Sequence, residues 1–128
     1  MAQRQPVSTI GARPLLNDNL RNRLLEFRRL RDWEQFHNPR NLATAISVEA
    51  AELLEPFRWS SEEQAVEIVR VRHSAIADEI ADIAILLTYL AHDLDINIDA
   101  AVASKIQANA EKYPIEKAHG SNKKYSEL

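Results

Sequence analysis

Two acidic motifs carry the residue types and spacing with the clearest chemical potential in this chain. Each motif places two acids three residues apart, and the four acids are Glu49, Glu52, Glu79 and Asp82. Residues three apart lie on nearly the same face of an α-helix, with Cβ atoms about 5–6 Å apart. If the two helices pack side by side, the four carboxylates converge on one place.

The residues around both motifs are apolar or small, and carboxylates are rarely buried without a partner. Like charges crowded together disfavour ionisation, so such a cluster needs cations. Oxygen donors without His or Cys favour Mg²⁺, with Mn²⁺ able to substitute, over Zn²⁺. Because Mg²⁺ usually completes its shell with water and substrate phosphate, the motifs predict a phosphate ester or anhydride as substrate. A single motif of this kind is more often only a solvated helix face.

Composition excludes several other classes of protein. The chain has 128 residues, no cysteine and a formal net charge of −3, which is typical of one domain without thiolate chemistry and argues against a general nucleic-acid binder. Its two glycines, Gly11 and Gly120, lie near the ends, which excludes a P-loop or a Rossmann fingerprint. We find no secretory signal and no apolar stretch long enough for a membrane span. These features predict a cytoplasmic protein.

Apolar spacing and capping residues predict an all-α chain of four or five helices, with no strand pattern and no repeat. Whether the chain breaks or kinks between Val69 and His73 stays open. We expect a first helix from residue 15 or 18 to about residue 35, and a second helix from a cap at Asn41 to about residue 55. A third helix begins at Ser60 or Ser61, and a fourth helix covers about residues 74–94. The last helix runs from a cap at Asp99 to about residue 112.

These helices predict one domain over residues 15–114, preceded by a flexible arm at 1–14 and followed by a tail at 115–128. Residues 83–90 are apolar almost all round, and a helix that is apolar on every side is buried on every side. One small domain has difficulty covering such a helix. We therefore expect a helical bundle that is completed by a subunit interface.

An ordered set of motifs resembles the all-α nucleoside triphosphate pyrophosphohydrolases of the MazG-like superfamily, and most closely their dCTP pyrophosphatase branch. The resemblance covers roughly residues 27–128. The matching segments are Trp33 to Leu42, Ser47 to Glu55, Phe57 to Trp59, Asp78 to Ile83, Lys105, Asn109, Lys112 to Pro114, Gly120 to Ser121, and Lys124 to Tyr125.

The resemblance implies an enzyme that cleaves a (deoxy)nucleoside triphosphate, dCTP or a modified dCTP, into the monophosphate and pyrophosphate. It implies that the four acids hold Mg²⁺ and that the protein is a homotetramer, a dimer of dimers with sites near subunit interfaces. It also implies an aromatic base pocket and polar contacts to the nucleotide. The corresponding residues are Trp33, His37 and Trp59 for the base, and Lys105, Asn109 and Lys112 for the polar groups.

Some alternatives remain open on sequence grounds. In isolation the two tryptophans are more often core residues, His37 could cap a helix, and the two lysines could be surface residues. Relatives tend to have a tyrosine where this chain has Leu86, with Tyr89 three residues later, which questions the preference for cytosine. A broader or dUTP-directed pyrophosphatase, a non-catalytic helical metal-binding oligomer, and an interaction module that uses the Arg-rich first helix are the competing interpretations.

Overall fold

In a computed structural model of the protein, residues 15–128 are described, and they form two units, Leu15–Ile96 and Asn97–Leu128. The arm predicted at residues 1–14 lies outside the described residues. Within 15–128 the regular structure is helical throughout, with six α-helices, three 3₁₀ segments and no strand, which confirms the all-α prediction. None of these helices combines the length and apolarity that crossing a membrane requires.

Helix α1 spans Asp18–Leu30, and the side chain of Asn17 caps it by accepting a hydrogen bond from the N–H of Leu20 at 2.9 Å. The prediction that this helix continues to residue 35 is wrong. Asp32 has a left-handed backbone with φ of 51°, which an α-helix does not tolerate. The chain then forms a separate 3₁₀ turn over Trp33–Phe36, so Trp33 lies outside α1.

Helix α2 spans Pro39–Leu54 and carries the first acidic motif. The predicted cap, Asn41, is wrong, because Asn38 accepts a hydrogen bond from the N–H of Asn41 at 2.8 Å. Proline at the first helical position has a suitable φ and no N–H that needs a partner, so the helix begins at Pro39. After α2, a short 3₁₀ segment over Glu55–Phe57 turns the chain.

Helices α3, Glu62–Val71, and α4, His73–Asp93, are separated by a break at Arg72. Ser61 caps α3 in a capping box with Gln64. The most extensive packing in this unit is between α2 and α4, and α1 and α3 each also pack against α4. This arrangement brings the two helices that carry the acidic motifs side by side.

The second unit contains α5, Ile98–Lys112, a short α6, Ile115–Ala118, and a 3₁₀ turn at Tyr125–Glu127. The cap of α5 is Asn97, which accepts a hydrogen bond from the N–H of Ala100 at 3.0 Å, and the predicted cap at Asp99 is therefore wrong. The segment predicted as an irregular tail contains α6 and an edge-to-face contact between Tyr113 and Tyr125.

Few side chains among the described residues are fully buried. Leu42 and Tyr89 are the buried apolar ones, at 2% and 4% exposure, and the polar Arg28 and Thr88 join them. The helix segment that was predicted to be buried all round is mostly half-buried in the single chain. Much apolar surface is thus left for contacts beyond the chain itself.

Candidate functional site

The packing of α2 on α4 brings three of the four predicted acids together. Glu49 on α2 and Glu79 and Asp82 on α4 each offer a carboxylate oxygen within 4.8 Å of the others. The spacing of three residues puts Glu79 and Asp82 on one face of α4. Three of the four acids that the sequence predicts to converge are therefore close together in the fold, and Glu52 is not among them.

Two oxygen atoms of this cluster have no hydrogen-bond donor. Glu49 Oε2 and Glu79 Oε2 are both buried and unpartnered within the described part of the chain. Buried polar atoms are almost always satisfied, and a buried carboxylate without a partner is costly. These two oxygens therefore require a donor or a cation that the protein itself does not provide.

The cluster also changes the protonation of Glu49. The neighbouring Glu79 carboxyl is the largest cause that raises the pKa of Glu49, to about 7, and burial and the nearby Glu52 carboxyl add to it. The negative charges of Glu52 and Asp82 act in the same direction. Crowded carboxylates disfavour one another's ionisation, so the protonated form of Glu49 is favoured where no cation offsets their charge.

The donor set suits a hard divalent cation. Mg²⁺ binds oxygen at about 2.1 Å, so ligands on opposite sides of the ion are ~4.2 Å apart. The mutual spacing of at most 4.8 Å between the three carboxylate oxygens is close to this value. The two unpartnered oxygens point to the same conclusion, because a cation would satisfy both. The cluster is therefore able to hold a divalent metal.

The fourth predicted acid, Glu52, stands at the edge of this cluster. It is exposed and contributes to the raised pKa of Glu49, but it is not one of the three converging ligands. Together with Glu79 it lines a cleft of about 630 Å³, which we name the acid cleft. The full lining is Glu52, Leu53, Glu55, Pro56, Ile68, Arg72, Ala75, Ile76 and Glu79.

Trp59, predicted as a base-pocket residue, is 84% exposed, so it is not a core residue. The guanidinium of Arg58 lies over its ring, 4.8 Å from the centroid. Trp59 lines a second cleft of about 500 Å³, which we name the Trp59 cleft. The full lining is Glu55, Pro56, Trp59, Ser60, Gln64, Glu67, Ile68, Val71 and Arg72.

Trp33 and His37 lie in the segment between α1 and α2. Trp33 is 43% exposed and contacts Phe27 edge to face, with ring centroids 5.7 Å apart. His37 is half-buried, with its ring 5.2 Å from that of Tyr89 and its Nδ1 3.4 Å from Arg28 Nη1. Burial lowers the pKa of His37, and the charge of Arg28 lowers it further. His37 is thus part of a buried polar group around Arg28.

Arg28 on α1 is the centre of that polar group. Its guanidinium donates two hydrogen bonds of 2.8 Å to the Asp93 carboxylate at the end of α4. It also lies 4.6 Å from the centre of the Tyr89 ring, and the Tyr89 hydroxyl donates to the Leu24 carbonyl at 2.8 Å. Tyr89 is therefore occupied in joining α1 to α4.

The remaining predicted substrate residues, Lys105, Asn109 and Lys112, lie on α5 in the second unit and are exposed. Lys112 Nζ lies 5.1 Å from the centre of the Tyr125 ring. Lys105 and Asn109 are one turn apart on α5 and so lie on nearly the same face of the helix. Their contact with a nucleotide stays a prediction.

Sequence reasoning missed Arg72, which lines both clefts. The available signal was its position inside the segment 69–73, where the helical pattern allows a break. A residue at a helix break is directed differently from the residues of either helix, and the sequence pattern alone does not give that direction.

The chain is similar to a known family and to several of its named members. The profile of the MazG-like family matches residues 44–128. dCTP pyrophosphatase 1 of Homo sapiens is 39% identical over 117 residues, which is 90% of this chain and 68% of that protein. dCTP pyrophosphatase 1 of Rattus norvegicus is 38% identical over 117 residues, with the same coverage of 90% and 68%.

Among solved structures, a pyrophosphatase from Archaeoglobus fulgidus is similar to this chain. The superposition has a TM-score of 0.74 at 42% sequence identity, and it covers 76% of this chain and 91% of the archaeal one. The likeness therefore extends over most of the helical structure.

Proposed function

This chain belongs to the MazG-like family and is a hydrolase of nucleoside triphosphate anhydride bonds, and we propose that its substrate is dCTP or a modified dCTP, which it cleaves with Mg²⁺. The products are the monophosphate and pyrophosphate. The relatives of similar sequence that carry the name dCTP pyrophosphatase 1 support this choice of substrate. Removal of unwanted nucleotides from the cellular pool is the role that fits such a reaction.

One observation carries the proposal: the group of Glu49, Glu79 and Asp82 with two buried, unpartnered oxygens beside a cleft of about 630 Å³. Ligand clefts usually have volumes of about 300–1,000 Å³. A structural ion site would need the acids but not the adjoining cleft. The combination is what an enzyme for a metal-bound phosphate compound requires.

In the proposed mechanism Glu49, Glu79 and Asp82 would hold the metal, and Glu52 is the fourth acid, which lines the acid cleft. A Mg²⁺ ion held there would supply positive charge that offsets the negative charge of the phosphates. Glu49 or Glu52 accepts a proton from the attacking water, whose oxygen bonds to the α-phosphorus. The α–β anhydride bond breaks, and its electron pair leaves with pyrophosphate.

For the nucleoside, we propose that the base stacks on an exposed aromatic face. Trp59 offers the most exposed ring, and Trp33 and His37 are the further candidates from the family pattern. Stacking on an aromatic side chain contributes ~1–3 kcal/mol per base in proteins that bind single strands. Lys105, Asn109 and Lys112 on α5 would contact the polar groups of the nucleotide.

A broader base preference is the second candidate, and Leu86 favours it. Leu86 stands where related proteins tend to have tyrosine, and Tyr89 is not a replacement because its hydroxyl is bonded to the Leu24 carbonyl. A pocket without that phenol would discriminate less between cytosine and other pyrimidines. Under this alternative dUTP or modified nucleotides are cleaved about as well as dCTP.

We also propose that the active protein is a homotetramer. Apolar side chains on α4 remain exposed in the single chain, among them Ile80 at 56% and Leu87 at 37%. Two residues seven apart lie on the same helix face, and burial against another copy would remove this face from water. The site would then lie near a subunit interface.

The test is pyrophosphate release from a panel of dNTPs and NTPs, including 5-modified dCTPs, with and without Mg²⁺. We expect Mg²⁺-dependent release that Glu79→Gln and Glu49→Gln each reduce by a factor of at least about 100, because each removes a buried ligand charge. Glu52→Gln, measured in parallel, reports the role of the fourth acid. The ranking of nucleotides decides between cytosine preference and the broader alternative.

The matched control is Glu63→Gln, which removes an exposed acid in the first turn of α3, outside the cluster. It should retain the activity of the wild-type protein. Absence of pyrophosphate release from every nucleotide would contradict the proposal and favour a non-catalytic metal-binding oligomer.

A further inference from the structure

The acid cleft and the Trp59 cleft share part of their walls. Both are lined by Glu55, Pro56, Ile68 and Arg72. The two clefts are therefore neighbours, with Glu52 and Glu79 lining the acid cleft and Trp59 lining the other. A ligand that spans both must pass the shared wall.

Arg72 is the cation of this shared wall. Among the described residues that line either cleft, it is the single basic one. The shared acid, Glu55, has a different partner, since its carboxylate lies 3.9 Å from Arg58. The wall that the two clefts share therefore carries one basic side chain, Arg72.

The guanidinium of Arg72 has no partner in the part of the chain that the structure describes, where the ion pairs involve other arginines. Its neighbour Arg70, two residues away, pairs with Glu67. Arg72 serves the fold through its backbone, whose N–H donates to the Ile68 carbonyl at 2.8 Å and whose carbonyl accepts from the Ile76 N–H at 2.9 Å. The side chain is therefore available for a ligand.

An unpaired arginine next to a group of acids suits a specific ligand chemistry. The acids repel a bare polyphosphate, so a metal and further cations must offset that repulsion. The planar guanidinium has several N–H donors, which match pairs of phosphate oxygens. The lysines of the family pattern belong to the other unit, and within the unit that contains the acids Arg72 is the basic side chain that lines the two clefts.

From this arrangement we infer that Arg72 binds the phosphate chain of the substrate where it crosses the wall shared by the acid cleft and the Trp59 cleft. The inference rests on the proposed function, because it takes the substrate to be a nucleoside triphosphate. It adds a residue of this chain to the substrate contacts that the family pattern supplies. Arg72 contacts substrate directly and does not act through the acids.

The experiment compares Arg72→Gln and Arg72→Lys with wild type in steady-state hydrolysis of dCTP, and measures inhibition by inorganic pyrophosphate and by the monophosphate. Hydrogen bonds to a charged group are strong enough that their loss raises KM by about ten- to hundredfold. We expect that increase for Arg72→Gln, with weaker inhibition by at least one product. Arg72→Lys should restore part of the affinity, because lysine keeps the positive charge but lacks the paired N–H donors of the planar guanidinium.

The control is Arg70→Gln, which removes an exposed arginine of α3, two residues before Arg72, that lines neither cleft. Thermal unfolding checks that each variant is folded. Values of KM and product inhibition for Arg72→Gln equal to those of Arg70→Gln would overturn the inference. Weaker inhibition by pyrophosphate or by the monophosphate supports it, and identifies which phosphates Arg72 contacts.

Failure of the proposed function gives a different result. If the wild-type protein releases no pyrophosphate from any nucleotide, the function is wrong, and calorimetric binding of inorganic pyrophosphate with Mg²⁺ then tests Arg72 by itself. Weaker binding to Arg72→Gln than to Arg70→Gln supports a phosphate site at Arg72. Equal binding to both variants overturns it.

Discussion

At the scale of single residues, the site combines acidic groups whose crowding destabilises the protein when no cation is bound. Glu49, Glu79 and Asp82 each place a carboxylate oxygen within 4.8 Å of the others. One buried oxygen of Glu49 and one of Glu79 have no hydrogen-bond donor in the described part of the chain. The raised pKa of Glu49 has the same origin, since its neighbouring carboxyls favour the protonated form. An arrangement that is costly without a ligand and suited to a cation is typical of a functional site.

The stability of Glu79→Gln tests this interpretation without an activity assay. We expect the wild-type protein to unfold several degrees higher in Mg²⁺ than in EDTA, because a ligand at a hundred times its Kd stabilises by about 2.7 kcal/mol. Glu79→Gln should lose most of this gain. In EDTA it should be at least as stable as wild type, because one crowded charge is gone. Differential scanning fluorimetry measures all four conditions.

Glu63→Gln is again the control and should keep the full gain in Mg²⁺. The interpretation would be contradicted if Glu79→Gln were stabilised by Mg²⁺ as strongly as the wild-type protein. It would also fail if Glu79→Gln were severely destabilised in EDTA, because the carboxylate would then be stabilising the fold itself.

At the scale of helices, the buried pair of Arg28 and Asp93 fixes α1 against the end of α4. The side chain of Arg28 is 5% exposed and that of Asp93 25%, with two hydrogen bonds of 2.8 Å between them. A buried pair contributes little compared with apolar packing, but removal of one partner leaves an uncompensated buried charge. The loss of either partner should therefore weaken the packing of α1 against α4 and lower the free energy of unfolding.

Asp93→Asn is expected to lower the free energy of unfolding by about 3 kcal/mol, since the Arg28 charge then remains buried without its partner. Urea unfolding followed by circular dichroism measures the change. Arg29→Met is the control, because it removes an exposed pair with Glu26, and such pairs contribute at most about 1 kcal/mol. Equal effects of the two substitutions would show that the Arg28 pair has no special role.

The same pair predicts a dependence on pH. The hydrogen bonds that Asp93 accepts from Arg28 hold the pKa of Asp93 below its ordinary value. The charges of Arg28, His92 and His37 lower this pKa further. A carboxyl whose pKa is lower in the folded state stabilises the protein above the pKa of the unfolded chain, about 3.9, and loses that contribution as pH falls through the folded value.

The difference in unfolding free energy between wild type and Asp93→Asn should therefore be constant from about pH 5 to pH 7 and shrink below about pH 4. Unfolding in urea at a series of pH values measures it. A difference that stays the same down to about pH 2 would contradict the assigned cause. The asparagine of the variant cannot titrate, so a constant difference would mean that Asp93 does not titrate in the wild-type protein either.

The helices also show which features the sequence could predict. The convergence of Glu49 with Glu79 and Asp82 follows from spacing, since acids three apart share a helix face and α2 packs on α4. The end of α1 could not be predicted, because the left-handed residue there is Asp32 rather than glycine. The direction of Arg72 and the exposure of Trp59 depend on how the turns around α3 pack, which periodicity does not encode.

At the scale of the whole molecule, the apolar face of α4 argues for assembly. Ile80 and Leu87 are seven residues apart and remain 56% and 37% exposed. Burial of apolar surface stabilises by about 25 cal/mol per Å², so a second copy that covers this face would be stabilised by it. The same helix carries Glu79 and Asp82, so assembly would also affect the site.

Leu87→Glu is therefore expected to shift the proposed tetramer to smaller species, because an ionised carboxylate is too costly to bury in an apolar interface. Sedimentation equilibrium measures the mass over a range of concentrations. Leu87→Met keeps an apolar side chain of similar volume and should assemble as wild type does. An unchanged mass for Leu87→Glu would place the interface elsewhere. If assembly and activity fall together while Mg²⁺ still stabilises the smaller species, the metal site is complete in one chain and the rest of the site requires the second.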